Sequence, residues 1–355
     1  MDFTFTNDQS LFRDAIRSYL MVEATPELLR SVWETPSGRS DPAFEKFAEQ
    51  GLTGLSIPEA EGGLGCNELD WVLMAQELGY YGVPDSLLST ACLAVGLLTA
   101  LPGDAPVRKA WLPRILAGDA RIAVGHPISA LVADAHVADL LLLHHAGEVH
   151  AVPRSEVDLV LNPSVDPARR LHTVAWKPSG RTRIADADAG RVLWDDMFER
   201  GALVTAAQSI GLTLRMMDLA VDYSVQRKQF GKPIGSFQAV KHLMADVAVA
   251  VEFAKPVVYR AAHALAHRLP HRAVHVSHAK LAADEAAWLA ARNSIQVHGA
   301  MGYTWEVDLQ IFMKRAWSLG ASWGDRGLHK TRVSDFVLAD GAPLGPGNTF
   351  ISTNH

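Results

Sequence analysis

Apolar and polar positions divide the chain into two textures. In residues 1 to about 117, apolar side chains recur every three or four positions, the spacing of one helix face. Leu11, Ala15, Ile16 and Tyr19 form such a face behind a cap at Thr6 or Asn7, and Asp41-Pro42 puts proline in the first turn of another helix. Trp71, Met74 and Leu78 line one side of a helix over Asp70 to Leu78, and Ala117-Gly-Asp119 supplies a turn. From Arg121 to about Trp194 the pattern changes to short apolar runs, such as Ala138 to Leu143 and Val149 to Val152, broken by Gly, Pro and Asp. These runs predict strands. Helical spacing returns after Asp195 and continues to about His329, with Ile210, Leu214, Met217 and Val221 on one face and Val240, Leu243, Met244, Val247 and Val251 on the next. Asp340 to His355 is rich in Gly, Pro and Asn and predicts an irregular extension. The expected organisation is a helical domain at 1–117, a small β domain at 118–194, a helical bundle at 195–335 and a tail at 336–355. The fold class is mainly α with a small β domain.

Composition narrows the class. A chain of 355 residues can bury large cores in two or three domains. Its formal charge of −6 argues against nucleic acid as a partner. With only Cys66 and Cys92, no disulfide framework or cysteine-based zinc site is expected. The amino end, Met1-Asp-Phe-Thr-Phe-Thr-Asn-Asp-Gln, has neither a basic region nor a long apolar run, so the expectation is a cytoplasmic protein with no membrane segment. His263, His267, His271, His275 and His278 resemble a metal stripe, but Pro270 breaks the helix and no matched carboxylate joins them. A solvated polar face is the simpler reading, and no metal is expected.

The stretch Gln226 to His242 is chemically the richest. It breaks the two long helical patterns with Gly231, Pro233 and Gly235, and sets Arg227 and Phe230 in the gap. A guanidinium at a helix C-terminus suits a pyrophosphate, and a phenyl ring suits an adenine. A capping arginine beside a core phenylalanine would give the same sequence.

Three segments together carry a resemblance. The loop Arg227-Lys-Gln-Phe-Gly231, followed by Phe237-Gln238 opening the next helix, resembles the Arg-x-x-Phe-Gly loop of the acyl-CoA dehydrogenase family. Gly51-Leu-Thr-Gly-Leu-Ser-Ile-Pro-Glu-Ala-Glu-Gly-Gly-Leu-Gly65 is similar to that family's helix-to-turn element, and Gln296-Val-His-Gly-Ala-Met-Gly-Tyr303 to its Gln-x-x-Gly-Gly-x-Gly-Tyr segment. The resemblance implies a helical amino domain, a β middle domain and a four-helix bundle, with FAD as cofactor and an acyl-CoA thioester as substrate. It implies a carboxylate that takes the α proton while the β hydride passes to flavin, and an electron-transfer flavoprotein as acceptor. Arg227, Phe230, Gln238, Gln296 and Gly299 would serve the pyrophosphate and adenosine of an FAD across a subunit interface.

The chain departs from the family where the base belongs. Counting along Lys314-Arg-Ala-Trp-Ser-Leu-Gly-Ala-Ser-Trp-Gly-Asp325 puts Trp323 at the usual glutamate position, and the alternative position on the preceding helix falls on Gly201. Asp325 and Glu199 are the nearest carboxylates, read here as a surface pair with Arg326 and a helix-start residue beside Arg200. The middle domain has Val124-Gly-His-Pro-Ile-Ser-Ala-Leu-Val-Ala-Asp134 where a flavin-covering segment is expected, so Ser129, His126 and Trp176 read as parts of a reduced β domain. The resemblance is then to the short, non-catalytic subunits of actinobacterial α2β2 steroid-type acyl-CoA dehydrogenases, which pair with a catalytic paralogue. A self-sufficient enzyme using Asp325 and a non-enzymatic scaffold are the alternatives.

Overall fold

A computed structural model describes residues 4–84 and 86–342. It is mainly helical with a small β region, as the apolar spacing predicts. The amino-terminal helices are α1 (Asn7–Glu23), α2 (Pro26–Glu34), α3 (Asp41–Glu49), α4 (Glu68–Tyr80), α5 (Val95–Ala100), which continues a π-helical stretch from Leu88, and α6 (Pro106–Leu116). Their starts follow from local chemistry. Thr6 and Gln9 form a reciprocal capping box on α1, and Ser40 caps α3 ahead of Pro42. Helix α4 is buried around nearly its whole circumference, not along one face, because it packs against α1 and against two long helices of the carboxyl-terminal half.

The β region holds two sheets. In the first, β1 (Ile122–Gly125) lies parallel to β3 (Leu140–His145), which continues antiparallel through β4 (Glu148–Pro153) to β7 (Arg183–Ala185). The second has the antiparallel order β2 (Val132–Ala133), β6 (Leu171–Ala175), β5 (Asp158–Asn162). Leu141, Leu143, Val152 and Val157 close the space between them.

Helix returns earlier than the apolar pattern alone suggests. The side chain of Asp186 caps α7 (Ala187–Gln226), so helix begins eight residues ahead of Asp195, through the polar run Ala-Asp-Ala-Gly-Arg that masks the spacing. A hairpin of β8 (Lys228–Gln229) and β9 (Lys232–Pro233) leads into α8 (Gln238–Ala266), α9 (Arg272–His298), α10 (Leu309–Leu319) and α11 (Arg326–Val337). Residues 336 and 337, expected to open the tail, thus close a helix, and 343–355 lie outside the described residues.

Where α4 crosses α7 the two backbones nearly touch. A Cβ on Gly79 would stand 2.8 Å from Gln208 Cα, and one on Gly211 would stand 2.5 Å from Tyr80 N. Gly211→Ala is therefore expected to destabilise the protein by about 1–3 kcal/mol through overpacking, read as a lower denaturant midpoint at unchanged slope.

Candidate functional site

The two positions that could have carried a base meet face to face. Gly201 lies in the buried stretch of α7, and Trp323 in the loop between α10 and α11 lays its indole on it; a Cβ on Gly201 would stand 2.6 Å from the ring Cε3. Only glycine admits the ring. Trp323 holds φ +57°, unusual for a bulky residue, and Gly324 follows at φ +95°. The turn is fixed by His329, whose Nε2 meets the Trp323 carbonyl at 2.8 Å and whose Nδ1 meets Ser277 Oγ at 3.1 Å. A carbonyl only accepts, so Nε2 carries the proton and Nδ1 accepts from the serine.

His126 closes the other side, its ring 5.2 Å from Trp323, 5.5 Å from Trp194 and 5.8 Å from Phe198. Its Nε2 donates to the Trp194 carbonyl at 3.0 Å and its Nδ1 accepts from the Ile128 amide at 3.1 Å, again one neutral tautomer. Ser129 turns away to bond the Leu131 carbonyl, and Trp176 packs on His150 at the far side of the first sheet, so only His126 of these three joins Trp323.

Burial pushes both imidazoles down, His126 to about 4 and His329 to about 4. The folded state resists protons that the unfolded chain takes up near pH 6.5, so their contribution to stability is complete above that pH and is lost as pH falls toward 4. Tryptophan fluorescence and the denaturation midpoint should fall together across that window, and His126→Gln should flatten its slope.

Both carboxylates near the motif are engaged by neighbouring groups. Asp325 is exposed and caps α11, accepting from the Leu328 amide at 2.8 Å, while Arg326 pairs with Glu285. The expected pair of Asp325 with Arg326 does not form, because neighbours in sequence point apart at a helix start. Glu199 is buried in the interior of α7, not at a helix start; burial raises its pKa, and Arg272 holds it at 3.0 Å. Arg200 pairs instead with Glu68 at 2.7 Å.

Beside Trp323 is a cavity of about 140 Å³, lined by Leu88, Val204, Thr205 and Gln208 among others. Clefts that enclose a drug-sized ligand run to roughly 300–1,000 Å³, so this cavity is smaller than one that would enclose a whole flavin. Its rim is tied by charges that no sequence spacing connects. Arg315 pairs with Asp166 and donates to the Val83 carbonyl at 3.1 Å; Arg39 pairs with Asp134 and donates to the Ala168 carbonyl at 2.7 Å. The segment Asp166-Pro-Ala-Arg-Arg170 thereby joins all three regions. Its paired arginines behind a proline were the one local hint.

The second group of candidates lies at the far end of the bundle, on the surface. Phe230 and Gly231 form the two-residue tip of the β8–β9 hairpin, both at positive φ, +52° and +77°. Phe230 is 91% exposed, which removes the reading of it as a core residue. Arg227 ends α7 with an exposed side chain and no ion-pair partner among the described residues, and Gln238 opens α8, also exposed. Tyr223 stacks on His298 at 4.3 Å, which brings the end of α7 to the end of α9, where Gln296 is exposed. Gly299 follows at φ +61°, ψ −136°, a conformation for glycine alone, with open space where a Cβ would be. One cation, one aromatic face, amide donors and an open backbone suit a pyrophosphate and an adenosine. Among the described residues, no group of three or more His, Cys, Asp or Glu is arranged to hold a metal, and no helix is long and apolar enough to cross a membrane.

Comparison with known proteins gives matches along most of the chain. Residues 188–338 match the family description "Acyl-CoA dehydrogenase, C-terminal domain" and residues 6–119 the corresponding N-terminal domain. Acyl-CoA dehydrogenase IpdE2 of Mycobacterium tuberculosis is 33% identical over 316 residues, 87% of this chain and 91% of that protein. IpdE2 of Mycolicibacterium smegmatis is 31% identical over 313 residues, covering 88% and 93%. Among solved structures, the ChsE4-ChsE5 complex from Mycobacterium tuberculosis aligns with a TM-score of 0.84 at 22% identity, over 95% of this chain and 99% of that one. Butyryl-CoA dehydrogenase from Megasphaera elsdenii aligns at 0.84 and 19% identity, over 96% and 100%.

Proposed function

The chain belongs to the acyl-CoA dehydrogenase family, and from that premise we propose that it is a subunit of an FAD-dependent acyl-CoA dehydrogenase that lacks its own base and completes the FAD site of a paralogous partner. The observation that carries this reading is the contact of Trp323 with Gly201. An indole and a glycine cannot take up an α proton, and the ring occupies the space a carboxylate would need. When bound, FAD supplies the hydride acceptor. This chain's part would be to hold its outer half: Arg227 on the pyrophosphate, Phe230 over the adenine, and Gln238, Gln296 and the backbone at Gly299 as hydrogen-bonding groups.

The surface supports a partner at that end. A phenylalanine held at positive φ and almost wholly in solvent is costly twice over, in backbone strain and in exposed apolar area, and both costs are offset if another chain brings a ligand against it. Val221 and Val225 in the last turns of α7 are exposed as well, Val225 at 63%. The solved chain that shares this fold belongs to a complex, that of ChsE4 with ChsE5. An α2β2 arrangement in steroid-type acyl-CoA oxidation, with an electron-transfer flavoprotein as acceptor, is the reading extended to this chain.

The test is turnover. Alone, with an acyl-CoA and an artificial electron acceptor, the chain should give no enoyl-CoA; co-purified with the paralogue it should. The self-sufficient alternative makes Asp325 the base, and Asp325→Ala separates the two. We expect that variant to lose about 1 kcal/mol of helix-cap stability and to leave turnover of the co-purified pair within about two-fold, whereas a base would lose orders of magnitude.

A further inference from the structure

The cavity beside Trp323 holds charges for which the proposed function has no use. Three guanidinium groups and two carboxylates converge there. Arg39 pairs with Asp134 and Arg315 with Asp166, and all four side chains are less than a tenth exposed. Arg169 is the fifth charge. Its Nη1 donates to the Ser318 carbonyl and to Ser322 Oγ, both at 2.6 Å and both neutral, and among the described residues no carboxylate lies within ion-pair distance of it. Arg39 adds an Nε with no hydrogen-bond acceptor although its side chain is only 4% exposed. Two matched pairs and one unmatched cation leave a single positive charge facing the cavity. Burial, with the neighbouring Arg315 and Arg39 cations, lowers the pKa of the Arg169 guanidinium, and the charges of Asp166 and Asp134 offset only part of that.

We infer that this cavity binds a small monocarboxylate of a few carbon atoms, with Arg169 as its counter-ion. The charge calls for one negative group, and a planar guanidinium with free donors matches a carboxylate in shape. Beside the polar Thr205 and Gln208, the lining includes Leu88, Leu93 and Leu319, an apolar stretch that suits a short alkyl group. At about 140 Å³ the space is well below the roughly 300–1,000 Å³ of clefts for larger ligands, which suits a small occupant. An inorganic anion would satisfy Arg169 and leave the leucine walls unused. The site stands between the amino-terminal helices, the β region and α10, so an occupant would brace all three. The inference is independent of which chain carries FAD.

Thermal unfolding of the full chain at constant ionic strength tests it. Acetate, propionate and butyrate are compared with chloride, and propionate with the neutral, equally sized propionamide. The expected result is a saturable rise in Tm of about 2 °C or more with at least one carboxylate, absent with chloride and propionamide. Arg169→Met should abolish the rise, and Arg169→Lys should keep part of it. No rise with any carboxylate, an equal rise with chloride or propionamide, or a rise that persists in Arg169→Met would each overturn the assignment. Should Arg169→Met not fold, the comparison of propionate with propionamide on the unmodified chain still decides it.

Discussion

Arg227→Ala is expected to strip flavin from a complex of this chain with its catalytic paralogue while leaving the complex assembled. The side chain ends α7 in solvent with no ion-pair partner among the described residues, so its loss breaks nothing that holds this fold together. Against a pyrophosphate in a closed interface the same group makes charge-assisted hydrogen bonds. Removing one partner of such a pair costs about 2–3 kcal/mol, roughly 30- to 150-fold in flavin affinity. The visible flavin band measured after gel filtration should fall to a small fraction of the protein signal, and added FAD should restore both the band and turnover. Arg227→Lys keeps charge without the fork and should fall between. A complex that keeps its full flavin after Arg227→Ala would remove this loop from the cofactor site.

The largest loss of stability is expected from Arg315→Met. Asp166 is 1% exposed, and besides the Ala168 amide at 2.9 Å its charge is met by Arg315. Taking away the guanidinium leaves a buried, unpaired carboxylate, which typically costs about 3–5 kcal/mol. That is a large share of the stability of an ordinary domain. The loss should be specific to the orphaned charge. Arg315→Met combined with Asp166→Asn should recover at least half of it in denaturant melts, because a missing pair costs far less than a broken one. An additive double variant would mean that Arg315 acts through packing and its bond to the Val83 carbonyl alone.

How much of this the sequence disclosed depends on the range of the interaction. Capping at Thr6 and at the Asp41-Pro42 start, the turn at Ala117-Gly118 and the strand over Leu140 to Leu143 rest on neighbours a few residues apart, and each is visible in the residue order. The start of α7 is missed through an overlooked signal: Asp186 is a good cap, but a polar first turn conceals the apolar period behind it. The buried charges were out of reach. Arg39 and Asp134 stand 95 residues apart, and Asp166 and Arg315 stand 149 apart, so nothing local pairs them.

The candidate site divides along the same line. Motif counting singles out Trp323 and Gly201 separately, as two departures. Only the fold brings the indole onto the glycine and makes them one feature, with His126 and His329 closing it. Counting also misassigns the roles of Asp325 and Glu199, because a helix cap and a bond to Arg272 are matters of orientation. Phe230 is ambiguous as a letter between core and contact residue. Its exposure at the hairpin tip is a property of the turn, where two consecutive positive φ values throw the ring outward.

If this chain gives half of an FAD site and holds no flavin ring of its own, its flavin content must depend on its partner. The chain expressed alone and the chain co-expressed with its catalytic paralogue are purified, and absorbance near the flavin band is divided by protein concentration. The expected result is no bound flavin for the chain alone and one FAD for each pair of unlike chains. One FAD bound to each copy of the isolated chain would contradict it.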